Sequence, residues 1–323
     1  MEARLALEKP VERFPSSSRR GRRGIGPHLL ILAVTTAVLL AASSPAHASA
    51  PEVVLDGPRV GEYQPIRGGG WIVWQQNTRK RPNHYDLYVR PVAAGPKSKV
   101  NSKGLNGANG DIQDNLLVYQ QFRKKGSGLR FFDLTTHEKS KPPAEVNTEH
   151  WEYWPSMSGQ WLLFGRLMHN GTRRLILFDL SKGRSRVLAR VRGENSFLAP
   201  GQVNGDWAVW SRCASESPCN VVRYRISTDE SDIIDNPHHR EQHSPSIDAN
   251  GTVYFARGNG DCGNRVRLIR EQLDGSDEEL WRLPNGDDIG RTHLQSRPRG
   301  NIVLYDEFSC GRRVESDAWQ IVG

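Results

Sequence analysis

The stretch Pro155-Ser156-Met157-Ser158-Gly159-Gln160-Trp161-Leu162-Leu163-Phe164 holds a proline, a glycine turn and an apolar run that ends in an aromatic ring. Its last four residues have counterparts along the chain. These are Trp71-Ile72-Val73-Trp74, Leu116-Leu117-Val118-Tyr119, Trp207-Ala208-Val209-Trp210, Thr252-Val253-Tyr254-Phe255 and Ile302-Val303-Leu304-Tyr305. The closing aromatics stand at 74, 119, 164, 210, 255 and 305, at intervals of 45, 45, 46, 45 and 50 residues. Short β-branched and aromatic runs with a fixed period are the mark of a repeat built from strands.

The rest of the unit repeats as well. Glycine turns precede the run (Gly68-Gly69-Gly70, Gly159-Gln160, Asn204-Gly205, Asn250-Gly251, Gly300-Asn301), and four units carry a proline before that: Pro65, Pro155, Pro200 and Pro245. The prolines suit a short strand whose ends make few ladder bonds. A third strand follows each run, as in Leu175-Ile176-Leu177-Phe178-Asp179-Leu180, and then a weaker fourth at residues 186–190, 231–235 and 279–283. Four short strands per repeat predict a propeller blade, because a small sheet buries both faces only between neighbours. A helical solenoid would need a 3.6-residue periodicity, which is absent. The expected fold is all-β, a six-bladed propeller of four-stranded antiparallel blades. Blade cores are placed at about 63–101, 108–148, 153–190, 198–235, 243–284 and 293–323. The sixth unit lacks its last strand, and residues 52–56, Glu-Val-Val-Leu-Asp, belong to no other unit. They are expected to complete that blade and close the ring.

Composition fits this reading. With 37% hydrophobic residues the 323-residue chain is too apolar for disorder, and 31 Gly with 19 Pro are too few for a collagen. Residues 1–48 hold seven of the 44 basic and three of the 36 acidic groups, so half of the +8 net charge lies there. Arg19, Arg20, Arg22 and Arg23 are followed by 14 apolar residues at 29–42 and by Ala46-His47-Ala48. That layout reads as a secretory signal peptide cut after Ala48. The apolar run would span about 21 Å as a helix, short of a hydrocarbon core of about 30 Å. Residues 49–323 are then the propeller, exported to an extracellular, cell-envelope or periplasmic location, without a transmembrane segment and expected as a monomer. Four cysteines in an exported chain suggest two disulfides.

The 155–164 stretch and the strand ending in Asp179-Leu180 resemble the repeat of TolB-like propellers, a WD40-like repeat family. Pro245-Ser246-Ile247-Asp248 through Phe255 is similar, with one extra residue before Gly251. Asp133-Leu134 repeats the strand ending, while the second and sixth units lack the proline. The resemblance covers the mature chain at repeat level, and no stretch remains for the α/β domain that precedes the propeller in TolB. It implies the fold and a tendency to bind proteins or peptides.

Counting back about eleven residues from each closing aromatic gives Tyr63, Ala108, Tyr153, Leu198, His243 and His293. These are expected to ring the mouth of the central channel. Tyr63, Tyr153, Trp154, His243 and His293, with Glu152 nearby, would form an aromatic, weakly basic rim suited to recognition. The loops after the closing aromatics share that face. They carry Arg79, Lys80 and Arg81, then Arg123, Lys124 and Lys125, then Arg173 and Arg174, which would steer an anionic partner. In the last three units the same loops carry the cysteines. The repeat therefore pairs Cys213 with Cys219 and Cys262 with Cys310.

The function expected is an exported, non-catalytic module that binds a protein, peptide or anionic envelope polymer. No nucleic acid, metal or cofactor is expected. The alternative is a propeller hydrolase or lyase using His243 and His293, with or without a divalent metal.

Overall fold

The computed structural model describes residues 52–55, 61–78, 81–93, 95–214, 217–236, 238–259, 265–297, 300–309 and 316–322. Residues 1–48, expected above to be a signal peptide, and Arg79, Lys80, Cys262 and Cys310 lie outside these, and of Arg81 only the backbone is described.

Among the described residues, twenty-four strands pair into six four-stranded sheets. Strand β1 (Glu52–Leu55) precedes the first blade of β2 (Glu62–Gly68), β3 (Trp71–Thr78), β4 (Arg81–Pro91) and β5 (Ser98–Lys99). Blade 2 comprises β6 (Gly107–Gln113), β7 (Leu116–Phe122), β8 (Ser127–Asp133) and β9 (Lys139–Ser140). Blade 3 is β10 (Trp151–Ser158), β11 (Trp161–Leu167), β12 (Arg173–Asp179) and β13 (Arg184–Val191). Next come β14 (Phe197–Asn204), β15 (Trp207–Ala214), β16 (Ser217–Arg225) and β17 (Glu230–Ile233) as blade 4. Blade 5 contains β18 (Glu241–Ile247), β19 (Val253–Gly258), β20 (Arg267–Glu271) and β21 (Asp277–Arg282). Blade 6 contains β22 (Asp287–Gln295), β23 (Ile302–Ser309) and β24 (Ser316–Val322). Its fourth strand is β1, which pairs antiparallel with β24, so the two ends of the propeller share one sheet.

The closing aromatics have a packing role. Tyr119, Phe164, Trp210, Phe255 and Tyr305 each join a buried cluster with the preceding blade. Trp74 joins Ile302 and Leu304 of blade 6. Side chains alternate along a strand, so neighbours such as Val118 face the following blade instead. One aromatic per repeat thus fills one interface, and the innermost strands meet in sequence until β22 returns to β2.

The Asp-Leu ending is a turn device. Asp133 Oδ1 accepts from the Thr135 and Thr136 amides at 2.8 Å each, and Asp179 Oδ1 from Ser181 N at 2.9 Å and Lys182 N at 3.1 Å. The prolines stand elsewhere than expected. They lie inside the innermost strand. Pro65, Pro155 and Pro245 fall where its register slips, between Tyr63 and Ile66, Tyr153 and Ser156, and His243 and Ser246. Pro200, opposite Trp210, is the last paired residue before the slip to Val203. A bulge interrupts the ladder, so a residue without an N–H is tolerated there. Among the described residues no helix is long and apolar enough to cross a membrane.

Candidate ligand site at the channel mouth

Strand register identifies the residue of each blade at the mouth. Tyr63 lies opposite Gln75, Ala108 opposite Gln120, Tyr153 opposite Gly165, Ala199 opposite Ser211 and His243 opposite Ala256. Each partner directly follows a closing aromatic. Leu198, expected here, lies one residue early and is buried between blades 3 and 4. In blade 6 the position falls at Gly290, bracketed by Ile289 opposite Glu307 and Thr292 opposite Tyr305. His293 is therefore not at the mouth but deeper, opposite Leu304, level with Asp111, Ser156 and Ser246. The cause is the β22–β23 connection, which spans 296–301 where the β10–β11 turn has only Gly159 and Gln160. Counting back from Tyr305 stops short, and blade 6 begins at Asp287 rather than at 293.

Just past the mouth, Gln64, Asn109, Trp154 and Ser244 have left-handed φ values of 50°, 45°, 49° and 54°. This region is costly for residues with side chains, and strain of this kind re-aims them. Trp154 is turned edge-on against Phe197, with ring centroids 5.5 Å apart. Tyr153 stacks on the same Phe197 at 6.3 Å, and its hydroxyl donates to the Leu198 carbonyl at 3.1 Å. Burial pushes the Tyr153 hydroxyl pKa up, against the nearby charge of Arg173. Arg173, expected as a steering charge, lies 5.5 Å from the Phe197 ring centroid and donates to the Ser196 carbonyl at 2.7 Å. It braces the aromatic wall. Arg123, Lys124 and Lys125 are exposed at their hairpin tip.

That wall borders a cavity of about 230 Å³ in the mouth. Trp154, Phe197, the disulfide-bonded Cys213 and Cys219, His243 and Pro245 line its sides. Gln64, Ser211 and Arg291 line it too, and each has a buried side-chain atom with no hydrogen-bond partner: Gln64 Oε1, Ser211 Oγ and Arg291 Nη1. Asp306 sits behind them. Its carboxylate accepts the backbone amides of Arg291, at 2.8 Å, and of Gln64. Burial pushes its pKa up to about 7, against the pull of those amides and of the Arg291 charge.

Two of the five expected contact residues line this cavity, Trp154 and His243. Tyr153 buttresses it from behind. Tyr63 packs edge-on against Tyr85 at 6.0 Å, and its hydroxyl accepts from Asn77 Nδ2 at 3.3 Å. Glu152 is fully buried rather than on the rim, paired with Arg166 at 2.9 Å. Burial raises its pKa even though Thr148 and Arg166 oppose the rise. Sequence reasoning missed Gln64, Phe197, Ser211 and Arg291. Arg291 was hidden by the blade 6 offset; Gln64 occupies the same bulge position as Trp154, which is the signal that could have found it.

Below the cavity a polar layer fills the channel. His293 Nε2 and Asp111 Oδ1 are 2.7 Å apart, and Asp111 Oδ2 accepts from Ser156 Oγ at 2.5 Å and Met157 N at 3.0 Å. Gln202 donates to the Leu294 carbonyl at 2.9 Å. Burial works to raise the Asp111 pKa, but His293 and these donors outweigh it and hold the carboxyl below its usual value. His243 has different partners, Asp288 at 3.3 Å and Ser244 Oγ at 3.0 Å. The hydrogen-bond order Ser156–Asp111–His293 puts the carboxylate between hydroxyl and imidazole. A Ser-His-Asp triad needs the imidazole in the middle.

Two sets of metal-competent side chains cluster among the described residues. In one, ligand atoms of Glu149, His150 and His169 lie within 4.8 Å of one another at the β10–β11 edge. The other contains Cys213 and Cys219, whose sulfurs are joined to each other.

No protein-family model matches the chain, and no curated protein matches it. Among solved structures it is similar to TolB from Acinetobacter baumannii, with a TM-score of 0.54 and 13% identity over 79% of this chain and 64% of that one. A putative TolB from Agrobacterium tumefaciens gives 0.55 and 16% over 72% and 85%. The β-propeller domain of the Trilobed protease from Pyrococcus furiosus gives 0.52 and 13% over 81% and 95%. The chain thus spans 64% of the length of the Acinetobacter TolB. These likenesses establish the fold, an all-β propeller of four-stranded antiparallel sheets like that of TolB.

Proposed function

We propose that the chain is an exported, non-catalytic propeller that binds a protein, peptide or cell-envelope component at its channel mouth. One observation carries this reading: a cavity walled by Trp154 and Phe197, held from behind by Tyr153 and Arg173 and opening on the face of the Cys213–Cys219 hairpin. Rigid, amphipathic aromatics of this kind bury area at low entropic cost. The disulfide supports an oxidising compartment. The Ser156–Asp111–His293 order supports binding over triad hydrolysis, since the hydroxyl donates to the carboxylate and not to the imidazole. Arg123, Lys124 and Lys125, exposed on the neighbouring blade, would speed encounter with an anionic partner.

The test is affinity capture from the native cell surface on immobilised propeller, run beside Trp154→Ala. The expected result is one partner retained by the parent protein and lost by the variant at unchanged thermal stability. Equal retention by both would overturn the assignment to the mouth.

A further inference from the structure

Arg291 is only 8% exposed, yet among the described residues no carboxylate lies within ion-pair distance of its guanidinium. Its backbone amide, not its side chain, is what Asp306 holds. A desolvated cation without a hydrogen-bonded partner is expensive, and proteins retain such groups where an anion completes them. Guanidinium presents a planar fork that matches a carboxylate in two parallel bonds. Burial lowers the Arg291 pKa and the fields of Asp111 and Asp306 offset this only in part, but a guanidinium starts so high that it stays charged in the cavity.

The two other unpartnered atoms narrow the ligand. Ser211 Oγ offers a second donor and Gln64 Oε1 an acceptor. An anion with several oxygens but no donor, such as a sulfate, would satisfy the first and not the second. At about 230 Å³ the cavity is smaller than the roughly 300–1,000 Å³ sites that enclose whole drug-sized ligands, so it takes one end of a chain. The rings of Trp154 and Phe197, Pro245, the disulfide and the imidazole of His243 stand among the other walls.

We propose that this cavity receives the C-terminal residue of a peptide or protein. The terminal carboxylate lies on Arg291 and Ser211, the last amide N–H on Gln64 Oε1, and an apolar side chain against Trp154 and Phe197. The inference rests on the binding function proposed above and names the group bound.

The test uses two libraries of fluorescein-labelled tripeptides with a randomised last residue, one ending in a free acid and one in an amide. Binding to the mature propeller is read by fluorescence polarisation. The expected result is free acids at least tenfold tighter than amides, with apolar last residues enriched. Arg291→Met should abolish the acid–amide difference and Arg291→Lys should reduce it. Ser211→Ala, a smaller change, gives a partial loss and serves if Arg291→Met fails to fold. Equal binding of acids and amides overturns carboxylate recognition while leaving binding at the mouth intact. Absence of binding by either library overturns the C-terminal inference, and surface capture with Trp154→Ala then decides the mouth reading separately. Peptide binding unaffected by Trp154→Ala and Arg291→Met overturns both.

Discussion

His293 Nε2 stands 2.7 Å from Asp111 Oδ1, across 182 residues of sequence, and ties blade 6 to blade 2 over the blade between them. Both residues are nearly inaccessible to solvent. Removing one partner of such a pair leaves an uncompensated group, at a cost of about 3–5 kcal/mol. His293→Ala should therefore lower stability by that amount in urea titration at pH 7. The pair also sets an acid limit. The Asp111 carboxyl titrates below its usual value of 3.8, so its contribution is complete above that pH and is lost as pH falls through the lower, folded-state pKa. Unfolding midpoints of Asp111→Asn should be low at pH 7 and converge on those of the parent as pH falls below 3.8 through the folded-state value. A parallel acid decline in both proteins would disprove the assignment.

Asp306 acts in the opposite sense. Its pKa rises from 3.8 to about 7 on folding, so the native state holds the proton more tightly than the unfolded chain. Stability from this group is complete below about pH 4 and falls as pH climbs to about 7. A shift of some three units corresponds to on the order of 4 kcal/mol. Asp306→Asn keeps an oxygen for the Arg291 and Gln64 amides without the charge. The variant should gain stability over the parent at pH 8 and show no gain at pH 4, as read by urea midpoints at the two pH values.

The closing aromatics carry the blade interfaces, and their loss should show it. Phe164 is fully buried between blades 2 and 3, so Phe164→Ala should cost about 3–5 kcal/mol. Trp151 is 47% exposed, and Trp151→Ala should change the same urea midpoint little. Similar losses in both variants would contradict an interface role for the repeat.

Those aromatics also explain what the sequence could reveal. A side chain that must fill the same gap once per blade leaves a period in the chain, and Tyr119, Phe164 and Phe255 are legible for that reason. Channel residues face one another across the axis, and most blades solve their part differently: Asp111, Gln202 and His293 share a layer but no residue type, and only Ser156 and Ser246 repeat. Periodicity is silent about them. An eleven-residue count reaches the ring where the first hairpin turns in two residues and falls short where the connection is longer; Leu198 was counted twelve residues before Trp210, one too many. The six-residue connection after Gln295 displaced His293 by three positions from Gly290. The disulfide was the simpler case, since Cys213 and Cys219 lie on one hairpin and needed no register between blades.

That hairpin forms one wall of the cavity, so its cross-link should matter locally more than globally. Closing so short a loop contributes about 2 kcal/mol. The double variant Cys213→Ser, Cys219→Ser should lose that much in urea titration. Hydrogen exchange should rise in residues 211–221 and stay level in the blade 2–3 interface. A uniform rise over the propeller would show that the cross-link supports the whole ring instead.

Gly165 provides a test of the aromatic wall without touching it. A Cβ at this position would lie 2.2 Å from Tyr153 Cζ and 2.3 Å from Cε2, so alanine there must displace the tyrosine ring. Tyr153 cannot move freely, because it is stacked on Phe197 and bonded to the Leu198 carbonyl. Overpacking of this sort costs about 1–3 kcal/mol. Gly165→Ala should lose that much stability and alter the fluorescence of Trp154, whose ring meets both Tyr153 and Phe197. In a Tyr153→Ala background the added methyl has no ring to strike, so the second substitution should cost almost nothing. A double-mutant cycle with a coupling energy near zero would mean that the tyrosine does not occupy the space against Gly165, and the buttress would fall with it.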